Sequence, residues 1–154
     1  MNEMDRLHPI QTLLFMLDCQ IQPQHAGQVR AAVEGLASKR SKWVLGAPVF
    51  IDSTEISITN DRHGDQPIRT LGGELQIYSA VPPWSNKLPK EIDRQHYEEV
   101  NLIVQHMRQF SEATGLTLGF ELDGVSVGWI KEGKLDKMLE IGLLAEWKKS
   151  VGVP

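Results

Sequence analysis

A chain of 154 residues with 41% apolar and 23% charged side chains can bury a core of its own, so it needs neither a disulfide framework nor a structural metal. Sixteen basic against twenty acidic residues give a net charge of −4, which argues against a nucleic-acid binder relying on counterion release over a basic face. The lone Cys19 excludes an internal disulfide, and the apolar run at 13–17 is too short for a signal core or a membrane span, so the chain reads as a soluble cytoplasmic protein.

No repeat, low-complexity tract or linker divides residues 1–154, which read as one domain. Residues 12–22 carry two periods. Ile10, Leu13, Leu14, Leu17 and Ile21 fit one helical face, whereas Leu13, Phe15, Leu17, Cys19 and Ile21 alternate as in a strand. Pro23 closes the run and a helix follows at once, which favours the strand. That helix spans 24–40, with an apolar stripe of Ala26, Val29, Val33, Leu36 and Ala37 and with Lys39 and Arg40 in its last turn. Residues 43–59 read as β-structure interrupted at Gly46 and Pro48, either two short strands or one bulged edge strand.

A polar loop at 60–66 leads to the longest strand, 70–81, with Leu71, Gly73, Leu75 and Ile77 on one face. A proline-rich loop at 82–89 precedes the strongest helix, 91–114, whose stripe is Val100, Ile103, Val104, Met107 and Phe110 and whose stop is Gly115. Asp123-Gly124 between two alternating runs is the signature of a type I′ hairpin turn. Counting outward pairs Leu122 with Val125, Phe120 with Val127 and Leu118 with Trp129 on the core side. The other side then holds Glu121 with Ser126 and Gly119 with Gly128, a shallow strip that a helix can cover or a ligand or partner chain can approach closely. A final helix at 135–149 contains Gly142, which either breaks it or permits close packing.

The order β-α-β-β-β-α-β-β-α predicts an α+β domain: a mainly antiparallel sheet of about five to six strands with two or three helices packed on it. A ferredoxin-like βαββαβ core can be threaded through this order with one extra strand and one extra helix. Architecture alone names no function.

Chemistry has two weak starting points. Asp61, His63 and Asp65 lie within one short loop around Gly64, a donor set that suits a divalent metal, although turns are rich in such residues for their own reasons. His96 and Glu99 share one helix face at i,i+3, where a carboxylate can orient an imidazole for proton transfer, or merely satisfy it. Cys19 is expected on the buried strand face and inert. There is no G-x-S-x-G, S-x-x-K, P-loop or dinucleotide fingerprint, so no cofactor is expected.

Among the tryptophans, Trp43, Trp129 and Trp147 are expected in the core. Trp84, held by Pro82 and Pro83, reads either as an interface anchor with Ser85, Asn86 and Lys87 as a polar rim, or as a cap on the sheet. These readings favour a non-catalytic binding protein with a protein partner: an inhibitor, an immunity-type protein or an adaptor, with self-association compatible. The competing reading is a small metal-assisted hydrolase using the Asp61/His63/Asp65 loop or the His96/Glu99 pair.

Overall fold

Alternation wins over helical periodicity in the first segment. β1 (Ile10–Leu17) buries Leu13, Phe15 and Leu17 on one face and leaves Leu14 and Met16 half-buried on the other. The computed structural model describes residues 9–57, 66–78 and 88–152. After β1 come α1 (His25–Ala37), β2 (Val49–Ser57), β3 (Gln66–Tyr78), α2 (Lys90–Thr114), β4 (Leu118–Leu122), β5 (Val125–Lys131) and β6 (Lys134–Leu135). A π-helical stretch, Met138–Ala145, then runs without a break into α3 (Glu146–Ser150).

The strands form one antiparallel six-stranded sheet in the order β2-β3-β1-β4-β5-β6. Each of α1 and α2 joins two strands separated by one neighbour: α1 spans from β1 to β2 across β3, and α2 from β3 to β4 across β1. This is the βαββαβ connectivity of ferredoxin-like domains, extended by β5, β6 and the C-terminal helix.

All three helical elements bury their apolar stripes against one face of the sheet. Val29, Val33 and Leu36 of α1, Val100, Ile103, Val104 and Met107 of α2, and Leu139 and Leu144 of the π-helical stretch join Leu13, Phe15, Leu71, Leu75, Leu118, Phe120 and Ile130 in one core. Gly73 makes room at the centre: a Cβ there would stand 2.5 Å from the Phe15 ring and 3.1 Å from Val33. A Cβ at Gly72 would collide with the Phe15 carbonyl, so both glycines of the pair let β1 and β3 pack closely.

Several boundaries differ from those expected. α1 stops at Ala37, so Lys39 and Arg40 lie beyond it, and the chain from there to Val49 is loop. Trp43 is buried in that loop, where its indole N–H donates to the Ala37 carbonyl at 3.2 Å and Arg40 lies over its ring. It closes the end of α1 by satisfying a terminal carbonyl. β2 is a single edge strand. Gly142 neither breaks the C-terminal helix nor meets a close neighbour, since a Cβ there would approach only Met138, at 3.9 Å.

The hairpin between β4 and β5 holds the largest correction. Asp123 and Gly124 have φ of 51° and 81°, as a type I′ turn requires, and Leu122 and Glu121 pair with Val125 and Ser126 as counted. Beyond them the register slips by one: Phe120 pairs with Gly128, Gly119 with Trp129 and Leu118 with Ile130, so Val127 is bulged. Leu118 and Phe120 are buried as expected, but Ile130 takes the core position meant for Trp129, which is 47% exposed. Val125 is exposed, and Leu122 and Val127 are half-buried.

Gly128 makes the bulge possible with a φ of 136°, a conformation that L side chains avoid, and a Cβ there would press on Leu139. Asp136 fixes the arrangement. Its Oδ1 accepts from the Trp129 N–H at 3.0 Å and from the Leu139 N–H at 3.1 Å, tying the bulged strand to the start of the C-terminal helix.

His106 joins the two main helices through its Nε2, which lies 2.9 Å from the Ala32 carbonyl. Nε2–H therefore donates, and Nδ1 is buried without a partner among the described residues. Burial pushes the His106 pKa below its ordinary 6.5, the Ala32 bond opposes this, and Lys39 adds to the lowering. The unfolded chain thus takes up this proton more readily than the folded one. Stability present above the ordinary value is lost as pH falls through the depressed folded value. Urea unfolding between about pH 7.5 and about pH 5 should show a smaller acid loss for His106→Gln than for the wild type. Identical acid sensitivity would remove His106 as a contributor.

Candidate functional site

The loop residues Asp61, His63 and Asp65, and the loop residues Trp84, Ser85, Asn86 and Lys87, lie outside the described residues. The His96/Glu99 pair is described in full, and both side chains are 0% exposed. Tyr78 N–H donates to His96 Nε2 at 3.2 Å, which places the ring proton on Nδ1, 3.3 Å from Glu99 Oε1. The other carboxylate oxygen, Oε2, accepts the Val44 N–H at 2.7 Å. One imidazole and one carboxylate thereby fasten the end of β3 and the loop before β2 to α2. All four of their hydrogen-bonding atoms are sealed from solvent, which gives the pair a structural task.

Cys19 corrects another expectation, since it is exposed. β1 ends at Leu17, so the alternation that placed Cys19 beside Leu17 no longer applies to it. Burial first, and Asp18 second, still hold its thiol above the ordinary value, which is the opposite of an activated nucleophile.

The strip foreseen on the far side of the hairpin grows into a whole sheet face. Among the described residues no helix covers it, and the pairings set its side chains in rows. One row runs Ile51, Gly72, Met16, Gly119 and Trp129 across five adjacent strands. Large apolar side chains alternate there with glycine, and the Trp129 indole stands at its end. The next row runs Val49, Glu74, Leu14, Glu121 and Ser126.

A depression of about 330 Å³ opens where Met16, Ile68, Gly119 and Trp129 meet, with Asp18 and Glu121 beside it. Val49, Ile68 and Trp129 are 58%, 55% and 47% exposed, a large apolar contribution for a face with no partner element. Gly119 supplies the floor: a Cβ there would meet nothing closer than Asp18 Cβ at 3.9 Å. Asp18, Glu74 and Glu121 stand on this face, and Arg69, held by Asp52, also lines the depression.

A register counted from the Asp123-Gly124 turn alone hides Trp129 as a surface residue. A second turn, Glu132-Gly133, has φ of 53° and 76° and pairs Ile130 with Leu135. Counting back from that turn places Ile130 inward, in conflict by one residue with the count from Asp123-Gly124. Gly128, the one glycine between them inside a strand, marks where the conflict resolves.

No helix among the described residues is long and apolar enough to cross a membrane. No protein-family model matches the chain, and no curated protein or solved structure is significantly similar to it.

Proposed function

We propose that the chain is a non-catalytic cytoplasmic binding protein, of the inhibitor, immunity or adaptor kind, which presents the helix-free face of its sheet to a protein partner. The observation that carries this reading is the apolar row ending in Trp129, set over a glycine floor and uncovered among the described residues. Trp is over-represented among interface anchors, and a ring already placed by a bulged strand loses little freedom on binding. Asp18, Glu74 and Glu121 make a partner with a basic patch the complementary one, and face-to-face pairing of two copies would oppose like charges. The 82–89 loop, with Trp84 as anchor and Ser85, Asn86 and Lys87 as rim, belongs to the same proposal as a second contact.

The test is to capture the partner with the wild-type chain and then compare variants by calorimetry. Gly119→Val fills the floor without a clash, in a strand that favours Val, so the melting temperature should hold while binding falls by roughly 30-fold, about 2 kcal/mol. Unchanged binding in Gly119→Val and in Trp129→Ala would overturn the assignment of this face. Loss in Trp84→Ala alone would move the surface to the 82–89 loop.

A further inference from the structure

A cavity of about 620 Å³ lies on the other side of the molecule, between α2, the β5–β6 turn and the π-helical stretch. We propose that it is a binding groove for a small phosphate monoester carrying an apolar body, a site independent of the sheet face. Arg108 from α2 and Lys148 from α3 line it, with Lys134 of β6 at its rim, against the single carboxylate of Glu140. None of the three pairs with a carboxylate among the described residues, although the chain as a whole is acidic. Like charges gathered in one cavity repel each other, and an anionic ligand removes that repulsion.

The remaining lining points the same way. Gln105 accepts from Arg108 Nε at 3.0 Å and donates to Asn101 Oδ1 at 3.4 Å, so the Arg108 Nη groups and the Asn101 amide N–H groups keep their donor capacity. Tyr97 adds a hydroxyl. A free lining made mostly of donors suits a ligand made mostly of acceptors. Cations outnumber the one carboxylate, as a phosphate ligand requires, and the Arg108 guanidinium fork matches phosphate geometry. Leu135, Leu144 and Ala145 supply an apolar wall for the rest of the molecule, and the volume falls in the usual range for small-ligand sites. One wall is the π-helical stretch, a rare form that is frequent at functional sites.

Titration calorimetry of the full chain tests this with phenyl phosphate, inorganic phosphate, benzenesulfonate and phenol. Phenyl phosphate should bind saturably at one site, at least about tenfold tighter than the singly charged benzenesulfonate or than inorganic phosphate, with no binding of phenol. Arg108→Gln and Lys148→Gln should each weaken phenyl phosphate by about tenfold or more with melting temperatures unchanged. Lys131→Gln, which removes the same charge outside the groove, should leave it intact. Affinity should also fall below about pH 6, where the phosphate loses its second charge. Absence of saturable binding up to roughly 10 mM, or equal affinity in the Arg108/Lys148 double variant, would overturn the proposal.

Discussion

Phe120→Ala should destabilise the fold by about 3–5 kcal/mol, measured as a shift of the urea midpoint at constant slope. The side chain is fully buried, and its ring lies 6.2 Å from that of Phe15 at an interplanar angle of 25°, the two meeting across the β1–β4 pair at the centre of the sheet. Removing it leaves a cavity between β1 and the helices that rigid neighbours can only partly fill. The informative comparison is with the two residues that exchange places at the bulge. Ile130→Ala should cost about 2–5 kcal/mol and Trp129→Ala less than about 1 kcal/mol, because Ile130 is fully buried and Trp129 half in solvent. A continuous hairpin without the bulge reverses that order, so a costly Trp129→Ala with a harmless Ile130→Ala would contradict the register.

Glu99→Ala should be comparably severe, about 3–5 kcal/mol, but for a polar reason. The substitution strips the acceptor from the Val44 N–H and from the His96 Nδ1–H, and the fully buried imidazole cannot turn to water. Each buried donor left without a partner costs roughly 1–3 kcal/mol, and the lost methylenes add a cavity. Glu99→Gln separates the two contributions. Its amide keeps the shape and one oxygen acceptor, so one donor is served and the other faces an N–H, for an intermediate loss. A thermal melt should place the three proteins in the order wild type, Gln, Ala, with the full drop on the order of 10 °C. A melt for Glu99→Ala within a degree or so of wild type would show that Val44 and His96 find other partners, and that this contact does not hold the loop before β2.

Much of the fold is legible in the sequence where one residue type admits only one conformation or one period. Gly115 stops α2 in the left-handed conformation, the Asp123-Gly124 turn forms as its composition demands, and Leu13, Phe15 and Leu17 of β1 turn inward together with Leu71, Leu75 and Ile77 of β3. What escaped depends on tertiary contact. Trp43 has the composition of a strand residue, yet its indole N–H is claimed by a helix end. Cys19 continues an apolar alternation past the point where the strand has lost its neighbours. The π-helical turns around Gly142 have no marker in a hydrophobic pattern that fits any helix too broad for one stripe.

The candidate sites divide along the same line. His96 and Glu99 were visible as a pair from their spacing, but spacing cannot distinguish a proton-transfer pair from a backbone clasp. The open sheet face was glimpsed as a strip of Glu121, Ser126 and glycines. Its tryptophan reaches that face only through the bulge at Val127. The cationic groove draws Arg108, Lys134 and Lys148 from three separate elements, so no local motif announces it.

The interleaved strand order has a consequence for the life of the chain before it is folded. β1 is made before both strands it pairs with and ends at the centre of the sheet, where Phe15 pairs with Gly73 on one side and Phe120 on the other. Such pairings close only after long stretches have been ordered, and topologies dominated by them fold slowly. During synthesis an apolar strand must therefore wait, with both edges open, until β3 and then β4 have emerged. A chain interrupted between α2 and β4 would hold β1 zipped on one side and bare on the other, a template for pairing with its neighbours. Aggregation of truncated chains should thus fall sharply once the β4–β5 hairpin is included, because that hairpin closes the second edge of β1.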